Sequence, residues 1–155
     1  MQKQKNSRGC FLCGLENEFS LKMKWYEDHQ TQQIRSTVIV PNHFNGYPGV
    51  VHGGIVSAIL DETAGRSVML TSGEDALMVA LKLEVTFRRP TPTDTPLTVI
   101  GWVIKQTASR AQVAGEIHLP DGTLTAECKA IVVPPPKAIL DKWENEKPYW
   151  KVYND

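Results

Sequence analysis

The chain has no excess of charge of either sign and no long hydrophobic segment. Seventeen basic and seventeen acidic side chains give a formal net charge of +0 over 155 residues. Proteins that bind nucleic acid or an anionic membrane usually carry a basic surface, so we expect neither partner. The polar residues 1–9 lack the apolar run of a signal peptide, and no stretch approaches the roughly 20 apolar residues of a membrane span. These absences lead us to expect a cytoplasmic protein.

Cysteine is also scarce, with three residues at Cys10, Cys13 and Cys128. An odd count argues against a disulfide framework. Cys10 and Cys13 have the spacing of half a zinc knuckle, but a closed tetrahedral site needs four ligands and the chain has no second pair. His29 and His43 stand at no usual spacing from them. We therefore expect reduced, partly buried thiols, no metal and no cofactor, and we place Cys128, which alternates with apolar neighbours, in the core.

The length and the 41% hydrophobic content fit one globular domain over residues 1–155, with a core at about 18–134 and a short extension at 135–155. Alternating apolar residues predict strands, and a long apolar segment before Ser72 and Gly73 predicts one helix to about Leu70. The predicted strands are 21–26, 33–40, 76–89, 97–106, 110–119 and 123–133. One buried helix among six antiparallel strands is most economically packed when a curved sheet wraps around it, which is an α+β architecture.

The segment from Pro48 to Glu62 carries the strongest functional pattern. Gly53 and Gly54 stand at the predicted helix start, where backbone N–H groups have no helical partner and the helix dipole favours negative charge. Asp61 lies seven residues after Gly54, on the same face of a helix that is otherwise mostly apolar. An acid on such a helix indicates a function, since its burial is costly. Glu62 is equally compatible with a functional role and with the polar edge of the helix.

The helix geometry separates these two groups. Seven residues at ~1.5 Å rise place Gly54 and Asp61 about 10 Å apart, too far to act on the same carbon atom. An antiparallel partner helix would bring its own Asp61 beside the Gly53 and Gly54 of this chain. We therefore expect a site shared between two subunits.

Three motifs, together with the order of elements, resemble one known family. They are Cys10-Phe11-Leu12-Cys13-Gly14 with Asn17 and Leu21, residues 46–54 with Leu60-Asp61-Glu62, and Val85-Thr86-Phe87-Arg88-Arg89-Pro90-Thr91-Pro92. Together they resemble the hotdog-fold acyl-CoA thioesterases of the phenylacetic-acid-pathway branch, within the 4-hydroxybenzoyl-CoA thioesterase superfamily. The resemblance runs from Cys10 to about Val133.

That resemblance implies a curved antiparallel sheet around one long central helix, a homodimer or dimer of dimers, and two interfacial sites that hydrolyse acyl-CoA or acyl-carrier thioesters. The Gly53 or Gly54 N–H would polarise the carbonyl, and Asp61 would activate water or attack the thioester itself. Asn45 would donate a second hydrogen bond to the carbonyl. For His52, orienting the loop or the leaving group and anchoring the turn are equally compatible with the sequence.

Three arginines are candidates for the phosphates of coenzyme A in the same resemblance. Arg88 and Arg89 end the long third strand, and Arg110 lies in the turn between the fourth and fifth predicted strands. Guanidinium groups suit phosphate recognition, although a charged strand end is an equally ordinary structural feature. Because successive strand residues point to opposite faces, we expect at most one of Arg88 and Arg89 to face the ligand.

One position departs from the family pattern. Family members commonly have Ser or Thr in the third strand to hold the water, and the matching residue here is Ala80, whose methyl group forms no hydrogen bond. Two alternatives to hydrolysis therefore stay open: a non-catalytic acyl-CoA binding module, and a hydroxyacyl-thioester dehydratase on the same fold. The acyl group preference is also open. A short helix is predicted at 138–146, followed by aromatic residues that would pack across a dimer or over the substrate channel.

Overall fold

The helix start that the sequence predicts is formed by a side-chain cap. In the computed structural model, which describes residues 1–155 in full, helix α1 is Gly53–Arg66 and His52 is its N-cap. The helix buries one broad face, made by Val56, Ile59, Leu60, Thr63, Ala64 and Arg66.

The predicted single helix continues past Arg66 to Ser72, and the turn at Ser67 and Val68 is tightened while its backbone dihedrals stay helical. The Ser67 hydroxyl donates to the Ala64 carbonyl at 2.6 Å, and a second short helix, α2, follows at Met69–Ser72. Gly73 ends it with a φ of 93°, in the region that favours glycine. The long helix and its glycine stop thus lie where the sequence predicts them, and the tightened turn at Ser67 is a local feature of that helix.

Seven strands form one antiparallel sheet around α1, and this is the hotdog fold that the sequence predicts. The strands are β1 Gln2–Lys3, β2 Tyr26–Asp28, β3 Gln33–Ile39, β4 Asn45–Tyr47, β5 Val50–Val51, β6 Val79–Phe87, β7 Pro96–Gln106, β8 Ala111–His118 and β9 Leu124–Val133. The order across the sheet is β1-β2-β3-β7-β8-β9-β6, and α1 packs against β3, β6, β7, β8 and β9. Strands β4 and β5 form a separate hairpin that precedes α1.

Close approach between helix and sheet depends on a glycine. A Cβ atom at Gly101 in β7 would lie 2.6 Å from the Thr63 carbonyl oxygen, so no larger residue fits without a shift. Thr63 also accepts a hydrogen bond at 2.9 Å from Trp25 Nε1, and Trp25 is fully buried. Cys128 lies in the same core, 3% exposed, as expected.

The first strand is shorter than predicted. Residues 21–25 are not in the sheet, because Leu21 and Met23 donate their N–H groups to Phe11 and Leu12 in the Cys10–Cys13 segment. The amino-terminal residues contribute instead: β1 pairs with β2, and Leu12 and Cys13 join the hydrophobic core.

The carboxy-terminal extension folds back onto the amino-terminal segment. Helix α3 is Lys137–Trp143, somewhat shorter than the predicted 138–146 segment. Arg8 forms a two-pronged ion pair with Glu146, both contacts at 3.0 Å, and Asn6 bridges to Lys151. Trp150 is 8% exposed. No helix in the structure combines the length and the apolar character needed to cross a bilayer.

Candidate active site

The start of α1 has one free N–H donor. His52 Nδ1 accepts the Gly54 N–H at 2.9 Å, so that group is already bonded within the chain. Its Nδ1 is therefore unprotonated, and His52 anchors the turn. The Gly53 N–H has no acceptor in the chain, because it precedes the first helical bond. Of the two donors expected from the sequence, Gly53 is the one available to a ligand.

The loop before the helix is fixed by polar contacts that the sequence did not reveal. The Asn42 side-chain oxygen accepts from the Gly49 N–H and from the Thr93 hydroxyl, both at 3.1 Å. Val51 donates its N–H to the Thr91 carbonyl at 2.8 Å. These bonds connect the turn at His52 to the segment that follows β6. The sequence did not predict this role of Asn42, because a single Asn in a polar loop is common and forms no recognisable motif.

Gly53 borders a groove of about 890 Å³, together with two of the candidate arginines. Arg88 and Arg89 both border it, although we expected only one to face a ligand. They follow the end of β6 at Phe87, so the alternation of strand side chains does not separate them. Arg88 pairs with Glu127 at 3.2 Å, while the Arg89 side chain has no ion-pair or hydrogen-bond partner in the chain. The groove thus has a hydrogen-bond donor and two cations.

Asn45 and Arg110 lie elsewhere. Asn45 borders a separate depression with His52 and Gly54, and its amide donates to the Asn42 carbonyl. Arg110 lies in the turn between β7 and β8, at the end of the sheet where Ala111 pairs with Val132. Phe87 pairs with Ala126 at the other end. Six residues of β9 separate these pairs, or roughly 20 Å, so one chain does not bring Arg110 to Arg88 and Arg89.

Asp61 lines a second pocket, of about 370 Å³. Its side chain is partly buried and forms no hydrogen bond within the chain. Burial raises the pKa of Asp61, and the neighbouring negative charge of Glu62 raises it further. The walls are mainly apolar and include Met69, Leu77, Met78, Val79, Val132 and Trp143. An unpartnered acid in such a pocket is suited to accept a proton from a bound molecule.

Glu62, Ala80 and the carboxy-terminal tail all reach this second pocket. Glu62 accepts a hydrogen bond from Arg66 Nε at 2.9 Å, so its charge is paired whereas that of Asp61 is not. Ala80 also lines the pocket, and its methyl group offers no hydrogen bond. Trp143 and Trp150 contact each other edge to face, with ring centroids 5.6 Å apart, and both border the pocket. The tail therefore covers the Asp61 pocket within its own chain.

Cys10 and Cys13 border the same pocket and approach Glu62. The two Sγ atoms and a Glu62 carboxylate oxygen lie within 4.8 Å of one another. These atoms are one ligand short of a tetrahedral zinc set, and the Arg66 guanidinium already donates to Cys13 and Glu62. The cluster is thus better described as a thiol pair beside a buried cation. Sequence reasoning missed Arg66, which lies on α1 and is 3% exposed.

The two pockets have no lining residue in common. One contains the free Gly53 N–H and the arginines, and the other contains Asp61. Eight residues at ~1.5 Å rise place the two groups about 12 Å apart along α1. In a single chain, the free Gly53 N–H and Asp61 therefore lie in two separate pockets.

The fold agrees with the comparison to known families. A model of the thioesterase superfamily matches residues 48–126, just over half of the chain, from the turn before α1 to the start of β9. The chain belongs to the thioesterase superfamily.

Solved structures show the same fold. A thioesterase superfamily protein of known crystal structure is 26% identical, with a TM-score of 0.72 over 81% of this chain. The chain spans 63% of that protein's length. A phenylacetic acid degradation-related protein from Ralstonia eutropha JMP134 is 24% identical, with a TM-score of 0.64 over 73% of this chain and 85% of its own.

A second solved structure from phenylacetic acid degradation is also similar to this chain. The PaaI protein from the E. coli phenylacetic acid degradation operon is 17% identical, with a TM-score of 0.64 over 75% of this chain and 81% of its own. No curated protein sequence matches the chain significantly. At these identities the last two likenesses concern the fold.

Proposed function

We propose that the chain hydrolyses acyl-CoA thioesters at two sites shared between the subunits of a homodimer. The observation that carries this proposal is the separation of a free N–H donor at Gly53 from an unpaired, partly buried Asp61 on one helix. Neither group is used inside the chain. Two antiparallel α1 helices would place Asp61 of each subunit beside Gly53 of the other, and thus complete both sites.

The free edge of the sheet supports such a dimer. Strand β6 is nine residues long and ends the strand order, so its outer backbone groups have no partner. Leu81 is 64% exposed and Phe87 56% exposed along it. Long apolar edge strands are normally covered or paired, and antiparallel pairing with a second β6 would do both. Further pairing of dimers through exposed apolar residues would give a tetramer.

The chemistry follows from the two half-sites. The Gly53 N–H would donate to the thioester carbonyl oxygen and stabilise the negative charge that develops there. Asp61 would take a proton from water, whose oxygen then attacks the carbonyl carbon. The carbon–sulfur bond breaks and the coenzyme A thiolate leaves. The raised pKa makes Asp61 a stronger base than an exposed aspartate.

Binding of the coenzyme would involve the groove beside Gly53. Arg88 and Arg89 offer guanidinium groups to phosphates at the mouth of that groove. Arg110 would reach the same ligand only from the partner subunit, since antiparallel pairing brings opposite ends of the two β6 strands together. The acyl group would then lie against the apolar walls of the Asp61 pocket, beneath Trp143 and Trp150.

Ala80 favours a second candidate, an acyl-CoA binding module without turnover. The Asp61 pocket lacks the strand hydroxyl that would hold the water. Ala80→Ser restores a hydroxyl and distinguishes the two functions. We expect it to raise kcat of an active enzyme by up to about tenfold with little change in KM, since one oriented hydrogen bond to the water is added.

The first test is a panel of aliphatic, aromatic and carrier-protein thioesters scored for released thiol. Hydrolysis of at least one acyl-CoA supports the proposal. Tight binding without thiol release would identify the binding module, and loss of enoyl-CoA absorbance without thiol release would identify a dehydratase.

The second test examines whether the site is shared. Gly53→Pro removes the N–H but suits the first helical position, and His52 already has the extended conformation that precedes proline, with φ −54° and ψ 134°. We expect a rate loss of ~10²–10³. Gly53→Ala is the matched control, because it keeps the N–H and its Cβ would meet the Phe87 ring at 3.4 Å, an ordinary contact.

Mixing then tests the sharing directly. If Asp61→Asn and Gly53→Pro chains are unfolded, mixed and refolded, half of a random dimer population is mixed, and each mixed dimer has one intact site. Activity should return to about a quarter of the wild-type value. If mixing restores no activity although mixed dimers form, each site lies within one chain and the shared mechanism is wrong.

A further inference from the structure

We propose that Cys10 and Cys13 form a peroxide-reactive dithiol, in which Cys13 is the attacking thiolate and Cys10 the thiol that resolves it into a disulfide. The chemical class of the substrate is a small hydroperoxide. This inference does not depend on the proposed hydrolysis.

The backbone holds the two sulfur atoms together. The Cys10 carbonyl accepts the Gly14 N–H at 2.7 Å and so closes a turn over the Cys10–Cys13 segment. A Cβ at Gly14 would lie 2.4 Å from the Cys10 carbonyl oxygen, so this turn requires glycine. The two Sγ atoms lie within 4.8 Å of each other, and the Leu12 N–H donates to Cys10 Sγ at 3.3 Å. A short movement of either side chain would suffice to join them.

A buried cation faces Cys13. Arg66 Nη2 donates to Cys13 Sγ at 3.2 Å. The guanidinium cannot easily turn away, because Nη1 donates to the Lys5 carbonyl at 2.9 Å and Nε to Glu62 at 2.9 Å, and the Trp25 ring lies 4.1 Å from it. A fixed guanidinium beside a sulfur atom favours the thiolate, which is the form that attacks peroxides.

The thiol acidities agree with this division of roles. A hydrogen bond from Cys10, followed by the charge of Arg66, lowers the pKa of Cys13 to about 6. The same hydrogen bond and burial raise the pKa of Cys10. Burial raises the pKa of Cys128 to about 12, and that thiol faces the Leu60 carbonyl in the core. Cys128 is therefore an internal control within the same chain.

Cys10 is partly exposed and Cys13 is 1% exposed, and both border the Asp61 pocket of about 370 Å³, so a small oxidant reaches Cys13 through that pocket. The Cys13 thiolate attacks one peroxide oxygen, the O–O bond breaks, and a sulfenic acid forms while hydroxide leaves. The first hydroxide takes the proton of the Cys10 thiol. The Cys10 sulfur then attacks the Cys13 sulfur and displaces a second hydroxide, which is neutralised by the proton that Cys13 released when it ionised. Overall, two thiols and one hydrogen peroxide give one disulfide and two water molecules.

The test treats the full chain with hydrogen peroxide and follows its mass and its thiols. We expect the loss of two hydrogen atoms, a fall from three free thiols to one, and a disulfide within the peptide that contains residues 10–13. Cys128→Ser should behave like the wild type in the loss of mass. In Cys10→Ser, a sulfenic acid trapped by dimedone should accumulate on Cys13.

Alkylation of the untreated wild-type chain at neutral pH provides a measurement that needs no variant. Iodoacetamide should modify Cys13 at least about tenfold faster than Cys128. The proposal is overturned if all three thiols survive peroxide that oxidises free glutathione under the same conditions, or if dimedone marks Cys10 rather than Cys13. None of these assays uses thioester turnover, so they succeed or fail independently of the hydrolase.

Discussion

Asp61→Asn removes the proton acceptor of the proposed site while it leaves the surrounding structure unchanged. The Asp61 side chain forms no hydrogen bond or ion pair in the chain, so asparagine, which has almost the same shape, loses no structural contact. We expect kcat to fall by ~10²–10⁴ with little change in KM. At about 1.4 kcal/mol per decade, this corresponds to roughly 3–5 kcal/mol of transition-state stabilisation.

The pH dependence of the wild-type enzyme follows from the same residue. Burial and the Glu62 charge raise the pKa of Asp61 above its ordinary value of 3.8. The active base is the ionised form, so kcat should fall on acidification in a range above that of a free carboxyl group. Asp61→Asn should abolish this acidic limb. Glu62→Gln should lower kcat less, because Glu62 is paired with Arg66, and should shift the limb to lower pH.

Stability should change in the opposite direction to activity. A carboxyl group whose pKa is raised by folding stabilises the protein below its unfolded pKa, and this contribution is lost as pH rises through the folded pKa. At neutral pH the ionised Asp61 thus opposes folding, and Asp61→Asn should increase the free energy of unfolding. The gain should shrink as the pH falls through the raised folded-state pKa of Asp61, because the wild-type carboxyl then becomes protonated too.

Asp28→Asn is the matched control for these measurements. Hydrogen bonds from the Thr31 and Gln30 N–H groups lower the pKa of Asp28, so its charged form is favoured in the folded state. This substitution should leave kcat unchanged and destabilise the fold at neutral pH. Thiol release and denaturant unfolding measure both effects. If Asp61→Asn retains wild-type kcat, or loses stability at neutral pH, the assignment of Asp61 as a buried base is refuted.

Three further predictions concern assembly, metal and packing. The protein should sediment as a dimer or larger at micromolar concentration, because β6 and the Asp61 half-site are incomplete in one chain; a monomer would contradict the shared site. Purified protein should contain no stoichiometric zinc and keep its thioesterase activity in chelators, since the Cys10–Cys13 pair lacks a full ligand set; one zinc per chain by elemental analysis would overturn this. Gly101→Ala should lower the free energy of unfolding by about 1–3 kcal/mol, because its Cβ would meet the Thr63 carbonyl oxygen at 2.6 Å. Gly65→Ala, which meets nothing within 4 Å on α1, should not destabilise, and equal losses in the two variants would contradict the packing argument.

Local patterns in the sequence were sufficient for the fold class. Alternating apolar residues predict the positions of β3, β7, β8 and β9, and the two glycines after His52 predict the start of α1. Such features depend on neighbours in the chain, which a sequence displays directly. The prediction of the first strand was wrong because it depends on residues that are not neighbours in the chain. Leu21 and Met23 alternate like strand residues, but their N–H groups bond to the carbonyl groups of Phe11 and Leu12.

The sequence also identified Gly53 and Asp61 as candidate site residues, from their residue types and their spacing along the helix. What only the tertiary structure decided is which of their polar groups are free. His52 takes the Gly54 N–H and leaves that of Gly53, and Arg66 takes Glu62 and leaves Asp61 unpaired. Both outcomes depend on side-chain directions, which sequence spacing does not specify.

The environment of the Asp61 pocket depends on contacts between residues far apart in the chain. Arg66 lies 53 positions after Cys13, and the tail that carries Trp150 crosses the pocket because Arg8 holds Glu146. Such contacts form only when the whole chain folds, and no periodic pattern in the sequence predicts them. The sequence by itself therefore determined the fold and the chemical groups of this thioesterase superfamily member. Long-range packing determined which of those groups are free to act and which are buried together.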